Sequence, residues 1–157
     1  MSSSLELLCP TSPPPPANAP TSTWAAYMIL VTKTVVSALN NRNWSHPYLE
    51  QYIAPNLTAY MEHVEKPYIK SREEFLTAIK RSSENSPEYQ FEIVSITPEI
   101  DEKRGTASVW YKLLIKGHPP GTAKESVGIS YCTRSRGNWR NVKQISMRGM
   151  GPGDAGV

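Results

Sequence analysis

The second half of the chain constrains the fold most, because its hydrophobic period changes from helical to two after Pro87. Four segments alternate apolar and polar residues as strands do, at 89–97, 105–116, 124–134 and 138–148. The segments between them are rich in turn-forming glycine and proline. Since short connections make successive strands antiparallel neighbours, this half predicts a four-stranded meander.

The first half predicts three helices and one strand. Apolar residues recur there at three- and four-residue intervals, the spacing of a helix with one buried face. Ser71 and Glu74 form a capping box at the start of the last helix. The segments lie at 24–39, 45–53, 57–64 (the strand) and 71–81. Helices followed by an antiparallel meander predict an α+β domain.

The 157 residues suffice for one domain. Residues 1–22 hold six of the 14 prolines and no aromatic ring, so they predict a disordered tail. Residues 151–157 are rich in glycine and predict a flexible C-terminus. The folded domain is therefore expected at 23–150.

Composition excludes several classes of protein. No apolar run approaches the roughly twenty residues of a membrane span, and the first residues lack the basic region of a secretory signal. Cys9 and Cys132 form neither a disulfide framework nor a metal motif. A net charge of +3 is too small to indicate nucleic acid. We expect a cytoplasmic protein that binds neither membrane nor nucleic acid.

Six short segments occur in a characteristic order between residues 24 and 150. They are YIAPNLT at 52–58, SREEF at 71–75, SPEY at 86–89, GTASVW at 105–110, GNWRNV at 137–142 and MRGM at 147–150. In this order they resemble the SnoaL-like branch of the nuclear transport factor two-like superfamily. The resemblance implies a cone-shaped α+β fold, in which three N-terminal helices pack on a curved, mixed or antiparallel sheet.

The resemblance also implies an activity. Enzymes of this branch include cofactor-independent isomerases, cyclases and dehydratases of fungal-type secondary metabolism. A small hydrophobic substrate derived from a polyketide or a terpenoid is therefore expected in the cone, with no cofactor. A homodimer formed through the convex face of the sheet is implied as well.

Strand alternation predicts which polar groups face the concave side. The more apolar faces contain Ala107 to Ile115 and Glu125 to Tyr131 in steps of two, and the apolar face of the first strand extends to His63. The predicted catalytic residues are His63, Glu125, Tyr111 and Tyr131. His63 or Glu125 would remove a proton beside a carbonyl, and a tyrosine or Gln144 would stabilise the enolate oxygen.

Five further residues are predicted to bind substrate: Tyr27, Tyr48, Tyr52, Gln144 and Arg148. Tyr48 and Tyr52 lie on the short helix, which either covers the pocket or only caps the sheet. Gln144 and Arg148 lie on the last strand, where a bulge would reverse the face of the sheet on which they lie. Arg148 suits two-pronged binding of a carboxylate, or else braces the C-terminal segment.

Alternatives stay open for these residues. His63 and Glu125 could also be surface residues without a catalytic role, and Tyr111 and Tyr131 could be core residues with structural hydrogen bonds. Cys132 is predicted on the convex face, as a structural residue. The two aspartates, Asp101 and Asp154, lie outside the strands, so a His–Asp scheme does not transfer.

The alternative function is a non-catalytic domain that binds a small molecule or associates with protein. A pocket too small for a multi-ring ligand would favour it. A weaker option is a regulatory partner whose proline-rich tail binds an aromatic groove.

Overall fold

A computed structural model describes residues 13–148. Its elements are α1 (Thr21–Asn40), α2 (Pro47–Tyr52), β1 (Ile53–Met61), α3 (Arg72–Asn85), β2 (Gln90–Asp101), β3 (Thr106–Lys116), β4 (Ala123–Ser135) and β5 (Asn138–Arg148). The predicted α+β cone is confirmed, with three helices and one curved mixed sheet. Helix α1 begins inside the predicted tail, whose first 12 residues lie outside the described part, as do residues 149–157.

One five-stranded sheet has the order β1-β5-β4-β3-β2. Strands β2 to β5 form the predicted antiparallel meander. Strand β1 pairs in parallel with β5, so that Ile53 lies opposite Asn141 and Met61 opposite Ser146. The alternating pattern predicted strand β1 but not that it pairs with β5. Strands β1 and β2 form the two edges of the sheet.

The core lies between the helices and the concave face of the sheet. The periodic residues of α1 are buried there, Trp24 and Met28 almost completely, which confirms the predicted buried face. By length and composition α1 is also apolar enough to cross a membrane, contrary to the expectation from the sequence. In this domain α1 packs along β2 as a core helix.

Side-chain caps fix where the shorter helices begin. The Ser71 hydroxyl accepts a hydrogen bond from the backbone N–H of Glu74 at 3.0 Å, as the capping box predicted. His46 Nδ1 accepts from the backbone N–H of Tyr48 at 3.1 Å. Each cap provides an acceptor for a helical N–H that has none within its own helix.

The open edge of β2 is tied to the end of α1. The Asn40 side chain donates to the carbonyl of Phe91 and accepts from its N–H, both at 2.8 Å. Arg42 donates to the carbonyl of Tyr89, also at 2.8 Å. A side-chain amide thus replaces a neighbouring strand at this point and holds Tyr89 and Phe91 over the concave space.

Candidate functional site

A cavity of about 280 Å³ lies between the helices and the concave face of the sheet. Apolar side chains of α1 and α3 form its roof, and small or hydrogen-bonding side chains of the strands form its floor. They include Val35, Leu39, Phe75, Ile79, Tyr52, Tyr111, Leu113, Ser126, Ser130, Asn141, Gln144 and Ser146. An apolar cavity with a few converging polar groups is what a ligand site looks like.

A larger depression of about 810 Å³ lies outside the cone, against the start of β2. It is open, and its lining includes Lys116 and Glu92, whose charged groups pair at 2.9 Å. Because this depression is shallower and its charges are solvated, we take the cavity inside the cone as the candidate site.

Small residues on β4 create the space. Strand β4 turns Ser126, Gly128 and Ser130 toward the helices, in steps of two. A Cβ added at Gly128 would lie 2.6 Å from Cε2 of Tyr111, so the phenol ring lies directly over the glycine backbone. Gly128 therefore lets the Tyr111 ring lie flat across the floor of the cavity.

The Tyr111 hydroxyl, with Gln144 and Ser130, forms a middle cluster of polar groups. Gln144 Nε2 donates to the phenolic oxygen at 2.6 Å, and Ser130 also hydrogen-bonds to it. Because Gln144 donates to this oxygen, the phenolic hydrogen points elsewhere, either to Ser130 or to an acceptor in the cavity.

Burial keeps this phenol neutral. Burial, followed by the charge of Tyr68, raises the pKa of Tyr111 well above its ordinary value, although the bonds from Ser130 and Gln144 lower it in part. Tyr111 is therefore a hydrogen-bond donor throughout the physiological pH range.

An inner cluster is formed by Tyr52, Cys132 and Asn141. The Tyr52 hydroxyl contacts Cys132 Sγ at 3.4 Å, and Asn141 lies opposite Cys132 on β5. Asn141 is 4% exposed and lines the cavity, and its Oδ1 has no partner in residues 13–148. An unpaired buried acceptor is unfavourable, and this oxygen has almost no accessible surface, so its neighbours close it off from the cavity.

The cavity opens between β1 and the start of β2. Tyr68, in the loop after β1, is 52% exposed and lines the opening. Tyr89 lines it from β2's side, and burial, followed by the charge of Tyr68, raises the pKa of Tyr89 to about 12. The mouth is thus flanked by two phenol side chains, and that of Tyr89 is neutral.

Three of the predicted site residues line the cavity: Tyr111, Tyr52 and Gln144. Tyr27 and Tyr48 do not. Tyr48 is buried in the core, and the Tyr27 ring packs edge-on against Trp24 with the centroids 5.8 Å apart. Arg148 ends β5 opposite Ser126, but its side chain lies outside the described part of the structure.

The predicted orientation of Glu125 and Tyr131 is wrong. Both lie on the convex face, where Glu125 pairs with Lys112 at 3.4 Å and Lys143 lies 5.7 Å from the Tyr131 ring. The concave face of β4 is the less apolar of the two, because it contributes Ser126 and Ser130 to the few polar groups of the cavity. For the same reason Cys132 faces inward and is buried, not convex as predicted.

His63 does not face the cavity either. Strand β1 ends at Met61, and His63 follows in a left-handed backbone conformation with φ of 65°. Its side chain is 89% exposed, with Nε2 3.4 Å from the Glu62 carboxylate. The apolar face of β1 therefore ends at Met61 and does not extend to His63 as predicted.

Sequence reasoning missed Ser130 and Asn141. A register shift between Tyr131 and Cys132 leaves Val142 as the extra residue of a bulge and places both Asn141 and Gln144 on the concave face. Gly128 was the one signal in the sequence for the inward face of β4, and therefore for Ser130. A glycine inside a strand often marks the close approach of another group.

The buried thiol predicts a loss of stability in alkaline solution. Burial raises the pKa of Cys132 from 9.0 to about 11, so above pH 9 the unfolded chain loses this proton while the folded chain retains it. The free energy of unfolding should fall by about 1.4 kcal/mol per pH unit from this group between pH 9 and 11. Urea denaturation of Cys132→Ala should show a shallower decline; an equal decline would contradict the assignment.

No family model matches the sequence, and no curated protein matches it. Solved structures do match. An NTF2-like protein of unknown function from Pseudomonas putida has a TM-score of 0.64 at 11% identity, over 86% of this chain and 93% of that one. An NTF2-like protein of Streptomyces avermitilis, named provisionally as a dehydratase, has a TM-score of 0.63 at 14% identity, over 84% and 100%.

The CaMKII hub of S. rosetta is similar as well. Its TM-score is 0.62 at 12% identity, over 78% of this chain and 94% of that one. Identities this low establish the architecture and not the activity. The order of elements, the curved sheet and the enclosed cavity together show that the chain has the NTF2-like cone fold.

Proposed function

We propose that this chain binds an uncharged, largely apolar small molecule in the cone cavity, with the Tyr111 hydroxyl donating to an oxygen of the ligand. The observation that carries the proposal is the neutral lining: the described residues around the cavity include no Asp, Glu, His, Lys or Arg. An ionised ligand would lose its hydration there without gaining an opposite charge.

The size of the cavity supports a ligand of one ring. At about 280 Å³ it lies at the lower end of the range of ligand pockets, roughly 300–1,000 Å³. A multi-ring compound would have to displace the side chains of the roof. Size and neutrality therefore favour the binding domain over the general acid/base enzyme predicted from the resemblance.

Acetophenone and benzoate provide the test, because they are nearly isosteric and differ in charge. NMR titration of the labelled protein should show acetophenone shifting the signals of cavity residues such as Leu113 and Gln144. Benzoate should bind at least tenfold more weakly, since its carboxylate meets no cation. Equal binding of the two, or shifts confined to the surface, would overturn the proposal.

The second candidate is a cofactor-independent isomerase, cyclase or dehydratase of the SnoaL-like type, acting on a polyketide- or terpenoid-derived compound. The specific observation in its favour is the buried Tyr111 hydroxyl, which accepts a hydrogen bond from Gln144 and can donate its own hydrogen to a developing oxyanion. The described lining supplies no carboxylate or imidazole as a base, so the substrate itself would have to supply one.

Hydrogen exchange separates the two candidates. An enzyme that stabilises enolates should accelerate deuterium exchange at the methyl group of acetophenone in D₂O, and Tyr111→Phe should abolish the acceleration. A binding domain should bind acetophenone without changing the exchange rate.

We further propose that a second copy of the chain packs on the convex face of the sheet. One cross-strand row of that face contains Trp110, Ile129, Ile145 and Tyr60 on neighbouring strands. Trp110 is 41% exposed, although its neighbours are apolar. An exposed tryptophan in an apolar row is typical of the centre of a protein interface.

Trp110→Glu tests this association. In light scattering coupled to size-exclusion chromatography, the wild type should elute as a dimer and Trp110→Glu as a monomer. Val64→Glu is the matched control, because Val64 is also an exposed apolar residue, at 52%, but lies in the loop after β1. A wild type that is monomeric at all concentrations would contradict the proposal.

A further inference from the structure

We propose that the side chain of Tyr68 controls entry to the cavity, covering the mouth in one rotamer and leaving it open in another. The ligand class stays as proposed above, and Tyr68 determines how fast such a ligand enters and leaves. This inference rests on the proposed binding function and assigns the residue that sets its rates.

The first step is the position of Tyr68 in the lining. Among the described residues that line the cavity, Tyr68 and Ala78 are exposed, whereas the others are buried or half-buried. Ala78 contributes only a methyl group. Tyr68 is therefore the large side chain that lies between the cavity and the solvent.

The second step is that the backbone beneath this side chain is fixed. The N–H of Tyr68 donates to the carbonyl of Ala59 on β1 at 2.9 Å, and the N–H of Ala59 donates to the carbonyl of Ile69 at 3.0 Å. The Ile69 side chain is itself buried. These contacts hold the Cα of Tyr68 beside the mouth, so movement there is a rotation of the side chain.

The third step is that no hydrogen bond ties the ring to one position. Within residues 13–148 the Tyr68 hydroxyl has no hydrogen-bond partner, whereas the Tyr111 hydroxyl is held by Gln144. Residues 62–66, which precede it in the loop, are all exposed, so the ring has room to turn toward solvent. Exposed side chains exchange rotamers within picoseconds to nanoseconds, so opening of this kind is fast.

The fourth step is the reach of the ring across the mouth. Besides burial, which has the larger effect, the charge of Tyr68 raises the pKa of both Tyr111 on the floor and Tyr89 on the opposite side of the mouth. Because such an interaction weakens with distance, the Tyr68 hydroxyl lies within electrostatic reach of both phenols. The side chain thus extends from the β1 side toward the β2 side, in the path of a ligand that moves toward Tyr111.

Tyr68→Ala tests the inference in the full chain. Line-shape analysis of an NMR titration with acetophenone gives the association rate constant kon and the dissociation rate constant koff. Both should rise by the same factor, about threefold to tenfold, which is the inverse of the fraction of time for which the wild-type mouth is open. The dissociation constant should stay the same within about twofold, because the ring is removed from the mouth of the free and of the occupied cavity alike.

Two further variants make the outcomes distinct. Val64→Ala should keep the wild-type rates, because Val64 is as exposed as Tyr68 and lies in the same loop but does not line the cavity. Tyr68→Phe retains the ring and should restore the rates that Tyr68→Ala changes. A rise in koff alone, with weaker binding, would mean that Tyr68 is only a ligand contact; that result, or unchanged rates, overturns this inference and leaves the binding function in place. A wild type that does not bind acetophenone overturns both.

Discussion

Replacing Tyr111 by phenylalanine is expected to weaken acetophenone binding by about tenfold. The ligand carbonyl loses its hydrogen-bond donor, and a tenfold loss of affinity corresponds to about 1.4 kcal/mol of binding free energy. The free protein is also destabilised, by about 1 kcal/mol, because Gln144 Nε2 loses its acceptor in a partly buried site. NMR titration measures the first effect, and urea denaturation measures the second.

Tyr131→Phe is the matched control for this variant. Tyr131 lies on the convex face, so this substitution also removes one phenolic oxygen but leaves the cavity unchanged. Its binding of acetophenone should equal that of the wild type. If the two variants bind alike, Tyr111 does not hold the ligand, and the proposed function fails with it.

Gly128→Ala is expected to have a comparably large effect through packing. The added methyl group would overlap the Tyr111 ring, since its Cβ would lie 2.6 Å from Cε2. Overpacking of this kind costs about 1–3 kcal/mol of stability. The ring has to move, and its hydroxyl leaves Gln144, so acetophenone binding should be lost as well.

A double-mutant cycle isolates this contact. In a Tyr111→Ala background the ring is absent, so the Gly128→Ala substitution should cost little or nothing further in urea denaturation. A cost that is equal in both backgrounds would mean that Gly128 is required by its backbone and not by Tyr111. The position of the Tyr111 ring on the floor of the cavity would then not depend on Gly128.

The meander and the capped helix were predictable from the sequence because local signals determine them. Alternation defines β3 and β5 to within one residue, and Ser71 with Glu74 marks the start of α3. Turn residues such as Gly105 and Gly137 adopt positive φ and fix the hairpins between these strands. These features need no knowledge of distant parts of the chain.

The orientation of β4 was not predictable from the rule that apolar residues face inward. That rule selects the face of Val127 and Ile129, but the inward face carries Ser126 and Ser130. A sheet whose concave side lines a cavity has small polar residues inside. Its apolar residues then lie on the opposite face, and alternation alone cannot identify which face is which.

Asn141 and the pairing of β1 were beyond sequence reasoning for a different reason. The bulge near Val142 and the parallel contact of β1 with β5 are set by packing across the sheet. Tyr52 and Gln144 were predicted from neighbouring residues and do line the cavity. His63 was not placed correctly because β1 ends at Met61, where no proline or glycine marks the turn.

The parallel contact between β1 and β5 has a consequence for how the protein acquires its structure. Hairpins of the meander join residues close in sequence, but β1 has to wait for the last strand of the domain. Contacts between distant residues slow the search for the native state. During synthesis β1 leaves the ribosome long before β5, so its backbone groups stay without their partner strand until the last strand of the domain has been made.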